Sequence, residues 1–346
     1  MNWRNTSFNG RTHDFWCHHL EARAHVIYGQ DLEVLTQVLS WLQDSENTWL
    51  CTIVGATGSS PRPVGSMLGL TRSHQVGSLS GGCVEDDLID KLRRGELNKT
   101  TLQRLHYGVS AEENERLGLP CGGHLEVLVE ALSPKSTGWL DEAVDALSSR
   151  KSILRHLDLL SATCRISAGR QAQSVAIDAT TMVQSLGPQM RMLLVGAGQL
   201  AQVLSQLAVA MDFEVIVTDT RREVLDQWAG PPVPLIEGLP DDVIATHITD
   251  DQSLVITLTH DPRIDDMALL EALESRAWYV GALGSLRTTS ARRERLSQLG
   301  LKTEQLERLR APVGLAIGSK TPWEIAIAIM AEITREQKAR NNVFTE

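Results

Sequence analysis

Apolar positions keep no steady period over the first 30 residues, whereas from Asp31 onward Leu32, Leu35, Val38, Leu39 and Leu42 recur at helical spacing and predict the first folded element. Thr48 to Val54 reads as a buried strand that breaks into a glycine-, serine- and proline-rich loop, and a second short strand is expected around Met67 to Thr71. Two glycines, Gly81 and Gly82, then end an extended segment, and Cys83 opens a helix through about Arg94. Residues 124 to 132 alternate Leu125, Val127, Val129 and Ala131 against a second face and read as another strand. These elements predict a mixed α/β first domain that ends between about 135 and 185.

From Met190 the pattern changes to strand, glycine turn, helix, strand, helix, the signature of a doubly wound parallel sheet. Strands are expected in RMLLVGAG (191–198), where a short apolar strand runs into glycines, and at 213–219, 253–259 and 278–284, with helical stretches at about 264–275 and 288–299. The helix after the first of these strands places Leu200, Val203, Leu204, Leu207, Ala208 and Met211 on one stripe, which predicts burial against the sheet. Thr321, Pro322 and Glu324 make a helix start with Thr as cap and Pro at the first position, so a terminal helix should run to about Gln337. The expected division is an N-terminal extension at 1–30, a first domain with its linker at 31–185, and a Rossmann-like domain at 186–346. The fold class is α/β.

At 346 residues the chain is long enough for two such domains, and its 42% hydrophobic and 22% charged residues suit a folded protein. The 33 basic and 43 acidic residues give a net charge of −10, which excludes a basic field for nucleic acid or for an anionic membrane surface. Five cysteines without a C-x-x-C pair fit neither a disulfide framework nor a structural zinc site and point to a reducing compartment. No segment approaches a spanning length of apolar residues and the N-terminus has no apolar leader, so the expected location is the cytoplasm. Cys17, His18 and His19 with His13 resemble a metal set, but they lie in the aperiodic extension, where a disordered or loosely docked arm is expected.

Two places carry candidate chemistry. Gly196-Ala-Gly198-Gln-Leu-Ala201 fits G-x-G-x-x-G/A after a strand and at a helix start, and Asp219 stands 21 residues beyond Gly198, at the end of the next strand. Such a turn either approaches a pyrophosphate while the carboxylate accepts from a ribose, or only lets strand and helix pack closely. His260 and Asp261, after the third strand, and Gly284, after the fourth, should face the same crevice, His260 as an acid or base or as a turn residue. Arg287, Arg292, Arg293 and Arg295 follow as an anion clamp or a solvated helix face. In the first domain, Gly81 and Gly82 precede Cys83 at a helix start, and Cys121 precedes Gly122 and Gly123 before a strand. A thiol among glycines is accessible to a bulky ligand and can serve as a soft metal ligand or a nucleophile; the alternative is an inert buried thiol.

With these residues assembled, the chain resembles the XdhC/CoxI family, accessory proteins of molybdenum hydroxylases such as xanthine dehydrogenase. The resemblance is a collinear series: GATGSSPRPVGSM, GSLSGGCVEDDL, GLPCGGHLEVLVE, LLVGAGQLAQ, VTDTR, THDPRIDD, YVGALGS and PVGLAIGSKTPWEIAIAIMAEI. Gln199 and Ala316 depart from the pattern expected of many relatives. The resemblance implies an N-terminal XdhC/CoxI domain before the Rossmann domain, commonly in a homodimer. It implies a chaperone rather than a catalyst, which holds the molybdenum cofactor, as molybdopterin or its cytosine dinucleotide form. The chaperone supports exchange of a terminal oxo for a sulfido ligand by a cysteine desulfurase and delivers the cofactor to the apo-hydroxylase large subunit. Cys83 and Cys121 match the family's GGC and CGG cysteines and are the expected molybdenum contacts. The competing reading is a Rossmann-type NAD(P)-dependent oxidoreductase acting on a small molecule, with His260 as acid or base; a third is an assembly protein that only senses a nucleotide.

Overall fold

The structure, a computed structural model, describes residues 30–58, 60, 62–97, 102–108, 123–171 and 173–342. The expected N-terminal arm, with Cys17, therefore lies outside the described residues apart from Gln30. Helix α1 (Gln30–Gln43) buries Val34, Leu35, Val38, Leu39, Trp41 and Leu42, the stripe its spacing predicts, with Leu32 half-buried at its edge. Strand β1 (Trp49–Thr57), strand β2 (Met67–Leu70), strand β3 (Gln75–Gly77), helix α2 (Cys83–Arg93), strand β4 (Leu102–Tyr107) and strand β5 (His124–Ala131) follow. The strands form one antiparallel sheet in the order β3-β2-β1-β5-β4. Side chains alternate across a strand. Trp49, Cys51 and Ile53 accordingly pack with Val84, Leu88 and Leu92 of α2, while Leu50 packs with α1 on the opposite face.

Helix α3 (Thr137–Ser148) lies against α1 and leads into strand β6 (Ile153–Asp158), strand β7 (Cys164–Ala168), strand β8 (Val175–Ile177) and strand β9 (Thr181–Leu186). These four make a second antiparallel sheet, order β7-β6-β9-β8, in a stretch where the sequence pattern singles out no strands. Its buried face sets two polar side chains, Arg155 and Gln184, among Ile153, Leu157, Val175, Met182 and Leu186. Arg155 is fully buried, pairs with Glu130 of β5, donates to Gln184 of β9 at 3.2 Å and lies over the Trp139 ring at 4.4 Å. Gln184 in turn donates to the Gly65 carbonyl at 3.1 Å, so one buried ion pair and its hydrogen bonds tie the two sheets together.

Strand β10 (Arg191–Val195), helix α4 (Gln199–Ala210), strand β11 (Glu214–Asp219), helix α5 (Arg222–Leu225), strand β12 (Leu235–Glu237), helix α6 (Pro240–His247) and strand β13 (Ser253–Thr257) open the last part of the chain. Helix α7 (Pro262–Glu274), strand β14 (Tyr279–Ala282), helix α8 (Leu286–Gln298), helix α9 (Thr303–Glu307), strand β15 (Leu309–Arg310) and helix α10 (Pro322–Asn342) complete it. The six strands are parallel in the order β12-β11-β10-β13-β14-β15, so the order reverses next to β10, as in a doubly wound Rossmann sheet. Helices cover both faces: Met192 and Leu194 pack with α4 and α10, Leu193 and Val195 with α6 and α7. Both faces of β10 are buried, which is why RMLLV reads as a continuous apolar run.

Candidate functional site

Antiparallel pairing decides which loops of the first sheet meet. Thr57, at the end of β1, pairs with His124, at the start of β5, and Leu125 pairs with Tyr107, at the end of β4. Gly77, at the end of β3, pairs with Leu68 near the start of β2. One edge of the sheet therefore collects the loop after β1, the turn after β3, the end of β4 and Gly123 before β5. Three of the sequence motifs map to this edge. Cys121 and Gly122, the residues before Gly123, lie outside the described residues.

The turn after β3 is organised by a residue that the glycine and cysteine motifs do not single out. Glu85, 4% exposed in the first turn of α2, folds its carboxylate back under the turn. It accepts from the amides of Leu79 at 2.7 Å, Ser80 at 2.8 Å, Gly81 at 3.1 Å and Gly82 at 3.0 Å, and from the hydroxyls of Ser78 at 2.9 Å and Ser80. Burial pushes this carboxyl upward, but the hydrogen bonds from Ser80 and Leu79 outweigh it and bring its pKa down to about 2. Gly81 and Gly82 sit at φ 91° and 153°, a region side chains rarely enter, and a Cβ on either would meet nothing within 4 Å. Backbone conformation, not crowding, demands the glycines. The turn ends on Cys83, exposed at the first position of α2, whereas Cys51 is buried in the sheet and burial raises its thiol pKa.

The second glycine turn is built differently. Gly196, at φ 105°, is wedged between the β11 and β13 ends: its amide donates to the Thr218 carbonyl at 2.7 Å, and a Cβ would stand 3.0 Å from the Thr259 methyl. Gly198 caps α4, is exposed, and has open space where a Cβ would be. Asp219 is 6% exposed and reaches back across the crevice to accept from the Ala197 amide at 3.0 Å. Its other bonds come from Arg221: the amide at 3.1 Å, Nε at 2.9 Å and Nη2 at 3.0 Å. Burial opposes ionisation of Asp219, yet the Arg221 and Ala197 bonds hold its pKa below the usual carboxylate range. The carboxylate expected to take a ribose is thus already engaged, and the space beside it, lined by Gly196, Thr218, Asp219 and Thr259, encloses about 10 Å³, room for one water at most.

The other crevice residues fall on the loops that follow β13 and β14. His260 is exposed; Asp261 caps α7, accepting from the Arg263 amide at 2.9 Å and pairing with its guanidinium at 2.8 Å. Gly284 is exposed, with the Arg292 guanidinium 3.5 Å from where its Cβ would lie. Beneath these loops Arg292, 2% exposed, pairs with buried Asp265 at 2.8 Å and donates to the Leu283 carbonyl at 3.0 Å, while Asp265 accepts from the Thr259 hydroxyl at 2.7 Å. Arg295 pairs with Asp266, and Arg293 donates to the Leu306 and Leu309 carbonyls. The arginine run is therefore neither a clamp nor, at Arg292, a solvated face: these three side chains brace the α8 packing, and Arg287 remains exposed.

The two turns do not share one crevice within the chain. Arg150, after α3, pairs with Asp250 at 2.6 Å and Glu214 at 2.7 Å, and the Gln30 amide donates to Asp212 at 3.4 Å. These partners stand at the amino ends of β11 and β13, whereas Gly196, Asp219, His260 and Gly284 stand beyond the carboxyl ends. A five-residue strand separates the two edges by about 17 Å. The seam holds a cavity of about 570 Å³ lined by Asp31, Gly65, Arg150, Ser185, Asp212 and Glu214 among others. Burial, and then the neighbouring Asp212, raise the Asp31 pKa to about 6. Among the described residues no helix is long and apolar enough to cross a membrane.

Comparison with known proteins gives matches to both parts of the chain. A model of the XdhC and CoxI family matches residues 41–108, and a model of the XdhC Rossmann domain matches residues 192–333. The chain is 27% identical over 329 residues to a probable xanthine dehydrogenase subunit of Bacillus subtilis, covering 88% of this chain and 97% of that one. It is 25% identical over 307 residues to the molybdenum cofactor insertion chaperone PaoD of Escherichia coli, with 87% and 86% covered. A crystal structure from Bacillus halodurans, described as a xanthine dehydrogenase, superposes with a TM-score of 0.71 at 25% identity, covering 89% of this chain and 96% of that one.

Proposed function

The chain belongs to the XdhC and CoxI family, and from that premise we propose that it is an accessory protein which carries the molybdenum cofactor as cargo to a molybdenum hydroxylase. The protein shelters the finished cofactor, supports replacement of a terminal oxo by a sulfido ligand through a cysteine desulfurase, and hands the product to the apo-hydroxylase large subunit. It works in the cytoplasm as a homodimer. Likeness to a cofactor insertion chaperone over 87% of the chain supports the class.

One observation carries the site: an exposed thiol, Cys83, stands at a helix start on the edge where three motifs converge, beside two glycines with nothing within 4 Å of a Cβ position. A thiolate is a soft donor suited to a sulfur-bound metal, and the bare glycine face leaves room for a bulky ligand. Cys121, which precedes Gly122 and Gly123 in the sequence, is the second thiol assigned to the cofactor. Gly196, Gly198, Asp219, His260, Asp261 and Gly284 form a separate subsite for a nucleotide, either NAD(P) or the nucleotide end of a dinucleotide cofactor. Binding there displaces Arg221 from Asp219.

The test is to express the client hydroxylase with and without this protein and to measure sulfurated molybdenum cofactor per folded client. Without it, the client should fold with its iron–sulfur and flavin groups and remain inactive. A fully active client in the deletion strain contradicts the reading, and steady NAD(P)H turnover by the purified protein favours the oxidoreductase instead.

A further inference from the structure

A glycine-rich turn at a helix start ordinarily aims its backbone N–H groups at a bound anion. In the Leu79–Gly82 turn the anion is part of the chain. All four amides and the hydroxyls of Ser78 and Ser80 donate to Glu85, whose carboxylate is buried beneath them. We propose that Glu85 is the positioning residue for Cys83: by filling the amide cradle it pre-forms the turn that presents the thiol and closes that turn to phosphate, so the cofactor's metal–sulfur end meets Cys83. This rests on the reading of the Cys83 edge as a cofactor site.

Three features support it. Gly82 directly precedes Cys83 and holds φ 153°, so the direction in which the chain enters α2, and with it the thiol, depends on a conformation that the Glu85 bonds maintain. A phosphate approaching the turn meets spent donors and a fixed negative charge, which is repulsive in partly buried surroundings. The turn is also ordered by the chain's own groups before cargo arrives, so the cost of ordering is not subtracted from binding.

The experiment uses the full chain. Alkylation of Cys83 by iodoacetamide is followed peptide by peptide across pH, together with hydrogen exchange at residues 79–82 and co-purified molybdenum. In Glu85→Gln those amides should exchange at least about tenfold faster, since charged hydrogen bonds are lost. The Cys83 alkylation profile should shift and the molybdenum content should fall. Formate added to Glu85→Ala should restore amide protection and the parent alkylation profile, a rescue that general destabilisation does not produce. Should the Glu85 variants fail to fold, Ser80→Ala, which removes one donor, should give a smaller change of the same kind. In the parent, millimolar inorganic phosphate should leave Cys83 alkylation unchanged. Phosphate protection of Cys83 in the parent, or a folded Glu85→Gln with unaltered exchange, alkylation and molybdenum, overturns the proposal. A turn that loosens as expected in Glu85→Gln, while Cys83→Ala still retains molybdenum, supports the positioning and overturns the cofactor reading instead.

Discussion

Two glycine-rich turns open helices in this protein, and they treat their backbone donors in opposite ways. The turn before α2 spends four amides on Glu85 and offers the solvent a thiol. The turn before α4 spends one, that of Ala197, on Asp219 and leaves Gly198 with an open face at the helix start. Similar sequences, SGGC and GAGQ, thus serve different ends: the first is a platform held from below by its own carboxylate, the second a turn tied to the next strand through the Gly196 and Ala197 amides, with Gly198 exposed. A glycine pattern becomes informative about ligands only once the destination of its N–H groups is known.

Removing the carboxylates tests this contrast most severely. Glu85→Ala should cost about 3 kcal/mol in urea unfolding, because several buried donors lose their acceptor at once. The gap between parent and Glu85→Gln should be flat above about pH 4.5. The folded pKa is depressed to about 2, so the ionised carboxylate's contribution is present above the unfolded value of 4.5 and should fade as pH falls towards 2. A gap that instead widens in acid contradicts the cradle. Asp219→Asn should cost less, roughly 1–2 kcal/mol, since one amide and Arg221 are its partners. Calorimetry with NAD, NADP and cytidine nucleotides should show about tenfold weaker binding than the parent if the crevice takes a ribose. No binding to the parent at millimolar concentration removes the nucleotide subsite from the account.

The glycines sharpen the comparison further. Gly81→Ala forces a side chain into φ 91° and should cost about 1–2 kcal/mol despite the open space around it. Gly198→Ala, at φ −72° and equally open, should leave stability within about 0.5 kcal/mol. Equal costs for the two, by thermal melts, contradict the view that one glycine serves conformation and the other access. The smallest effect is expected away from both turns. Asp31→Asn at the seam should stabilise the protein at pH 7 by no more than about 1 kcal/mol after solvent screening. Because the folded pKa is raised from 3.8 to about 6, the ionised form is penalised above pH 6, and the gain should vanish as pH falls below 3.8.

The sequence pattern made the Rossmann sheet legible because both faces of its strands are apolar and its helices are amphipathic: β10, β11, β13 and β14 fall where the runs predict, within a few residues. The sheet of β6 to β9 escaped because burial there is shared with Arg155 and Gln184, polar residues that break the apolar alternation while pairing with each other and, through Arg155, with Glu130 of β5. Strand β4 and the two-residue β15 were too polar or too short to announce themselves. At the candidate site the glycines and cysteines were visible, but Glu85 was not. Its position three residues after Gly82 is the spacing at which a helix's first-turn carboxylate reaches back to cap its own start, and that signal was available. The engagement of Asp219 by Arg221, two residues on, depends on a rotamer choice that no spacing specifies.

The central claim is that the glycine–cysteine edge of the first sheet holds the cofactor's metal end. Its most direct test is the molybdenum content per folded chain, by elemental analysis of protein purified from cells making the cofactor, for the parent, Cys83→Ala and Cys121→Ala. The account predicts that Cys121→Ala, and to a lesser degree Cys83→Ala, loses most of the metal. The exposed Cys83 should do so with a barely altered melting temperature. Molybdenum retained at the parent level in both variants, or a large fall in melting temperature with unchanged metal per folded molecule, contradicts it.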